Sequence, residues 1–170
     1  MLNFKNLIIL FCFLVGFGIG FYFKSLFYKN NFVVGQWDEP PMIVVCPSSS
    51  IDRHRVSLAI EWWRKKGHTI KGFHYDEQDI ICSVGRFVNG IIFIRDKKEI
   101  ESQIYAETYK FNIGTNILSA EINMPDKNRF LARLLEHELG HALGYSHVEI
   151  QGHIMHPFLE LTGNSFWIPD

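Results

Sequence analysis

The chain is expected to form an α+β domain, a sheet flanked by two main helices, preceded by a membrane-spanning helix. Three observations point that way. Runs rich in β-branched and aromatic residues recur between residues 42 and 123. Two stretches, one after Ser50 and one after Pro125, carry apolar residues at helical spacing. Residues 7–23, LIILFCFLVGFGIGFYF, are apolar on every face and hold no charge.

The apolar run is bracketed by Lys5 and Lys24 and is long enough to reach across a bilayer. No small-x-small cleavage site follows it, so residues 1–29 are expected to be an uncleaved signal anchor, with a removed signal peptide and secretion as the alternative. Lysines on both sides leave the orientation open. The part of the chain after the apolar run is expected on the extracytoplasmic side. Residues 30–41 are polar, end in Glu39-Pro40-Pro41 and are expected to be a linker, with the domain spanning residues 42–170.

Met42-Ile43-Val44-Val45-Cys46 reads as the first strand, stopped by Pro47. Ser48, Ser49 and Ser50 offer caps for a helix over residues 51–66, closed by Gly67. Val56, Ile60 and Trp63 form its buried stripe, widened by Leu58 and Trp62. Strands are expected over residues 69–75, 80–84, 89–95, 103–111 and 116–123, with Gly114 and Thr115 near the last turn. Pro125 and Asp126 then introduce a long helix, Asp126 as its cap, with Phe130, Leu131, Leu134 and Leu135 facing the sheet.

That helix carries His137-Glu138-Leu139-Gly140-His141-Ala142-Leu143-Gly144-Tyr145-Ser146-His147, the pattern H-E-x-x-H-x-x-G-x-x-H. Residues four apart on a helix lie about 40° apart in projection, so His137 and His141 can hold one zinc ion together. Gly144 permits the bend that returns the chain, and His147 supplies the third ligand. Three protein ligands leave a position open, which is the arrangement of a catalytic zinc. Glu138 is too close in sequence to be a ligand but well placed to take a proton from an attacking water. Five fixed positions drawn largely from rare residues match by chance in about one chain of this length in a hundred thousand. An isolated histidine on an apolar face is usually a core residue, but that reading does not account for this spacing.

The motif, followed by a methionine turn at His153-Ile154-Met155-His156-Pro157, resembles the metzincin zinc peptidases, and within them the matrixin-like branch. His156 stands where that branch commonly has tyrosine, while Met155 and Pro157 keep their places. Upstream, Ile104-Tyr105-Ala106-Glu107-Thr108 and Ile117-Leu118-Ser119-Ala120-Glu121-Ile122-Asn123 resemble the edge strand and the last strand before the active helix of bacterial members. The resemblance implies a zincin fold with a twisted, mixed, five-stranded sheet. It also implies one catalytic zinc, Met155 as an apolar floor under the histidines, and a substrate extended along the edge strand near Tyr105 and Tyr109. Phe158-Leu159-Glu160 would form a wall of the specificity pocket. Only thirteen residues follow Pro157, so against the matrixin pattern the C-terminal part is expected to be abbreviated. The segment from Asp96 to Ser102 lacks the histidines and aspartates that hold a second zinc and calcium in many matrixins, and neither is expected.

The remaining residues decide less. A net charge of −1 argues against a nucleic-acid partner, and the sequence leaves the oligomeric state open. Cys46 and Cys82 can pair if the domain is exported; Cys12 lies in the apolar run. His54, His68 and His74 show no ligand spacing, while His153 and His156 are candidates for substrate contact. The function expected is a zinc-dependent endopeptidase acting on protein or peptide substrates. A zinc hydrolase of cell-wall peptides and a membrane-tethered binding or assembly protein with a vestigial site stay open.

Overall fold

The computed structural model describes residues 32–85, 88–97 and 104–169, and among the described residues it has five short strands, three helices and the 3-10 turns Asp126–Asn128 and Leu159–Leu161. The expected membrane anchor lies outside the described residues. Among the described residues no helix is long and apolar enough to cross a membrane.

The elements are β1 (Met42–Val45), α1 (Arg53–Lys65), β2 (Gly72–Tyr75), α2 (Ile80–Val84), β3 (Ile91–Arg95), β4 (Glu107–Ile113), β5 (Asn116–Asn123) and α3 (Leu134–Ala142). The sheet order is β2-β1-β3-β5-β4. β1, β2, β3 and β5 run parallel, and β4 lies antiparallel to β5 at the edge. The central strands are covered on both faces, so they read as continuous apolar runs rather than alternating ones. Ile43, Val44, Ile92, Phe93 and Ile94 are fully buried. β4 is half-buried and turns into β5 through Gly114, whose φ of +62° suits glycine.

α1 starts at Asp52, whose Oδ1 accepts the Arg55 N–H at 2.8 Å, rather than at the preceding serines. Val56, Ala59, Ile60 and Trp63 form its buried face; Leu58, expected to widen that face, is exposed. The helix docks on α3 through two polar contacts. Trp63 Nε1 donates to the Glu136 carbonyl at 2.8 Å, and the Arg55 guanidinium grips the Glu136 carboxylate with bonds of 2.7 and 2.5 Å. Two parallel bonds fix the angle of the pair as well as its distance.

Three expectations are corrected. Residues 80–84 form α2, not a strand. Asp76 accepts the N–H groups of Ile80, Ile81 and Cys82, which satisfies the start of a helix from outside it. No long helix begins at Asp126. A 3-10 turn, Asp126–Asn128, comes first, and the chain reverses at Arg133 (φ +66°) before α3. The intervening polar groups serve other segments: Asn128 Nδ2 donates to the Tyr105 carbonyl, and Arg133 Nε donates to Asn164 Oδ1. Phe130, expected in the core, is 71% exposed as a result, while Leu134 and Leu135 are buried. Finally, residues 33–37 do not behave as linker. Val34 N–H donates to the Gly144 carbonyl at 2.7 Å, Gln36 pairs with Thr115 and Ile117, and Trp37 Nε1 donates to the Ala142 carbonyl.

Cys46, just past β1, and Cys82, in α2, form a disulfide within a buried cluster containing Val44 and Phe93. Closing a loop of 36 residues restricts the unfolded chain by about 4 kcal/mol on the chain-entropy account.

Candidate metal centre

α3 presents His137 and His141 on one face, as the four-residue spacing requires. The helix ends at Ala142, and Gly144 then turns the chain with φ +108°. Its N–H returns to the His141 carbonyl and the Tyr145 N–H to Gly140. A Cβ at Gly144 would lie 2.1 Å from the Gly35 carbonyl oxygen, so the turn is closed against the 33–37 strap and admits no side chain. His147 comes back beside the other two.

The Nε2 atoms of His137, His141 and His147 lie 3.1–3.2 Å from one another. His137 Nδ1 donates to the Ile154 carbonyl at 2.8 Å, and His141 Nδ1 to the Tyr145 carbonyl at 2.9 Å. Carbonyls accept only, so both rings carry their proton on Nδ1 and turn bare Nε2 lone pairs toward the same point. Two such atoms cannot bond each other; a cation between them removes the repulsion. Ligands about 2.0–2.1 Å from a tetrahedral zinc are about 3.4 Å apart, close to the spacing here. The donor set and its geometry therefore fit zinc.

Met155 is fully buried beneath α3. A Cβ on Gly140 would meet Met155 Sδ at 2.2 Å, so glycine between the two helix ligands lets the methionine close up under them. His153 secures the turn: its Nδ1 accepts the Met155 N–H and its Nε2 donates to the Trp167 carbonyl. It is structural rather than a substrate contact. His68 is a satisfied histidine against Trp63 and the Tyr145 hydroxyl.

Glu138 is 4% exposed, and its Oε2 accepts the Thr108 hydroxyl at 2.6 Å. Sequence reasoning did not single out Thr108. Alternation along β4 was the available signal, because Thr108 and Lys110 share the face turned to α3. Both line a cleft of about 670 Å³ with Tyr105, Glu138, the three histidines, His156, Pro157 and Phe158–Glu160. The expected edge strand and pocket wall are thus brought together around the three histidines. Tyr105 donates its hydroxyl to Glu160 at one end of the cleft. Of the Asp96–Ser102 segment the structure describes Asp96 and Lys97 alone. A second cluster, Asp76, Asp79 and Cys82, is accounted for by the α2 cap and the disulfide.

Burial sets the protonation of the site. Desolvation lowers His137 to about 4 and His141 to about 3, and lowers His147 as well, so the rings are neutral and ready for a metal near pH 7. Desolvation pushes Glu138 up to about 7, opposed by the Thr108 bond. In the metal-free protein these shifts oppose each other. Unfolded histidines take up protons below about 6.5 while folded His137 and His141 do not, so their stability is lost as pH falls, by about 1.4 kcal/mol per pH unit for each of these two. Folded Glu138 keeps its proton up to about 7 while the unfolded residue loses it above about 4.5, so its contribution is lost as pH rises. Glu138→Gln removes the opposing effect. Denaturant unfolding of the metal-free variant is expected to show a dependence steeper by about 1.4 kcal/mol per pH unit between pH 6.5 and 4.5. Equal slopes would mean that the carboxyl is not desolvated.

Comparison with protein-family models finds no match, and comparisons with curated proteins and with solved structures find none either.

Proposed function

We propose that the chain is a zinc-dependent endopeptidase of metzincin, matrixin-like type, tethered to a membrane by residues 7–23 with its domain outside the cytoplasm. The observation that carries this reading is the convergence of three histidine Nε2 atoms beside a buried carboxyl group in a cleft open along a sheet edge. The Cys46–Cys82 disulfide supports an oxidising compartment.

A bound zinc supplies a Lewis acid that polarises the scissile carbonyl and makes water more acidic. His137, His141 and His147 hold it, their rings oriented by the Ile154 and Tyr145 carbonyls in the first two cases. Glu138 takes the proton of the attacking water and later gives it to the leaving amine. The Thr108 hydroxyl engages Oε2 and leaves Oε1 for that water. Among the described residues β4 has one unpaired edge, where an extended peptide adds as a further strand by backbone hydrogen bonds. His156, Pro157 and Phe158 wall the cleft on the other side.

The test is cleavage of an unfolded protein such as casein by the detergent-solubilised chain. Activity is expected to vanish with a chelator and to return with zinc. A folded, zinc-loaded protein that cuts neither casein nor short peptides would sink the reading.

A further inference from the structure

His156 is a histidine of the cleft that the chemistry above leaves idle. It is 6% exposed and lines the same cleft as Glu138 and the three ligands. Its Nδ1 accepts the Phe158 N–H at 3.1 Å, so the neutral ring carries its proton on Nε2. That N–H has no acceptor among the described residues, and Nε2 is not among the sealed, unpartnered atoms, so its remaining access is through the cleft. His153, three residues earlier, shows the contrast: both of its nitrogens are spent on backbone groups. His156 is also near the ligands, since a charge on it would lower both His137 and His147.

A donor held in one tautomer, largely desolvated and without a partner is suited to the place where negative charge develops. We propose that His156 Nε2–H donates a hydrogen bond to the scissile carbonyl oxygen as that oxygen gains charge. The assignment rests on the peptidase reading. The proton stays on Nε2 throughout; the water's proton passes to Glu138 and on to the leaving amine, so His156 forms no covalent bond.

The experiment compares wild type, His156→Asn and His156→Gln, each loaded with zinc. Asparagine keeps an oxygen for the Phe158 N–H but has no group at the Nε2 position; glutamine places an amide N–H near it. Casein cleavage by wild type first identifies a cut bond. A peptide of that sequence measures kcat and KM, and its phosphinate analogue measures binding by calorimetry. The matched amide peptide, bound to the Glu138→Gln protein with and without His156→Asn, reports ground-state affinity. His156→Asn is expected to lower kcat about 10²–10³-fold with KM little changed, and to weaken the phosphinate by a comparable factor. Zinc content and amide affinity stay at wild-type values, and glutamine retains more kcat than asparagine. Unchanged kcat or phosphinate affinity in His156→Asn, a parallel loss of zinc, or glutamine no better than asparagine would overturn the assignment. Should asparagine fail to fold, the same two readouts on glutamine against wild type decide, with a loss of zinc or of amide affinity counting against the donor role. A zinc-loaded wild type that cuts nothing and ignores phosphinates would instead remove the peptidase reading, and this assignment with it.

Discussion

Glu138→Gln is expected to reduce peptide hydrolysis by about 10²–10⁴-fold while zinc content stays at the wild-type level. Glutamine matches the carboxylate in size and can still accept the Thr108 hydroxyl, so neither α3 nor the edge strand need move. What disappears is the ability to take a proton from water. Burial sharpens the contrast, because a neutral amide carries none of the desolvation cost that pushes Glu138 up to about 7. The metal-free variant is therefore expected to be at least as stable as wild type above neutral pH. Zinc analysis, casein cleavage and thermal unfolding on the same preparation check all three. Retained hydrolysis would remove Glu138 from the mechanism, and lost zinc would mean that it supports the ligands instead.

Gly144→Ala is expected to cost roughly 3–5 kcal/mol and to weaken zinc binding about 10–100-fold. The turn needs φ +108°, and an added methyl would enter the Gly35 carbonyl at 2.1 Å. Relief requires either the strap or the turn to shift, and His147 depends on that turn. Gly152→Ala is the matched control. It also has a positive φ, +85°, but its added methyl meets nothing within 4 Å, so it is expected to cost only about 1 kcal/mol. Unfolding in denaturant and competition with a chromogenic chelator measure both quantities. Equal effects of the two substitutions would contradict the role given to the strap.

How much the sequence disclosed follows from which interactions are local. His137, Glu138 and His141 were legible because helix geometry alone sets their relation, and Gly144 with His147 followed from one turn. The strands β1, β3 and β5 were legible as β-branched runs, buried on both faces. Residues 80–84 read as a strand because Ile80-Ile81-Cys82 is apolar; the helix there depends on the Asp76 side chain folding back over three amides. The start of α3 was misplaced because Asn128 and Arg133 spend their polar groups on distant segments. Thr108 and the 33–37 strap were missed for the same reason: their partners are 30 or more residues away.

X-ray absorption on the zinc-loaded chain, joined to zinc counting, reads out the proposed three-histidine zinc centre itself. About one zinc per chain is expected, with three imidazole nitrogens at about 2.0–2.1 Å, no sulfur, and loss of this signal in His141→Ala. A folded chain that takes up no zinc, or a zinc shell with sulfur or fewer than three imidazoles, would contradict it.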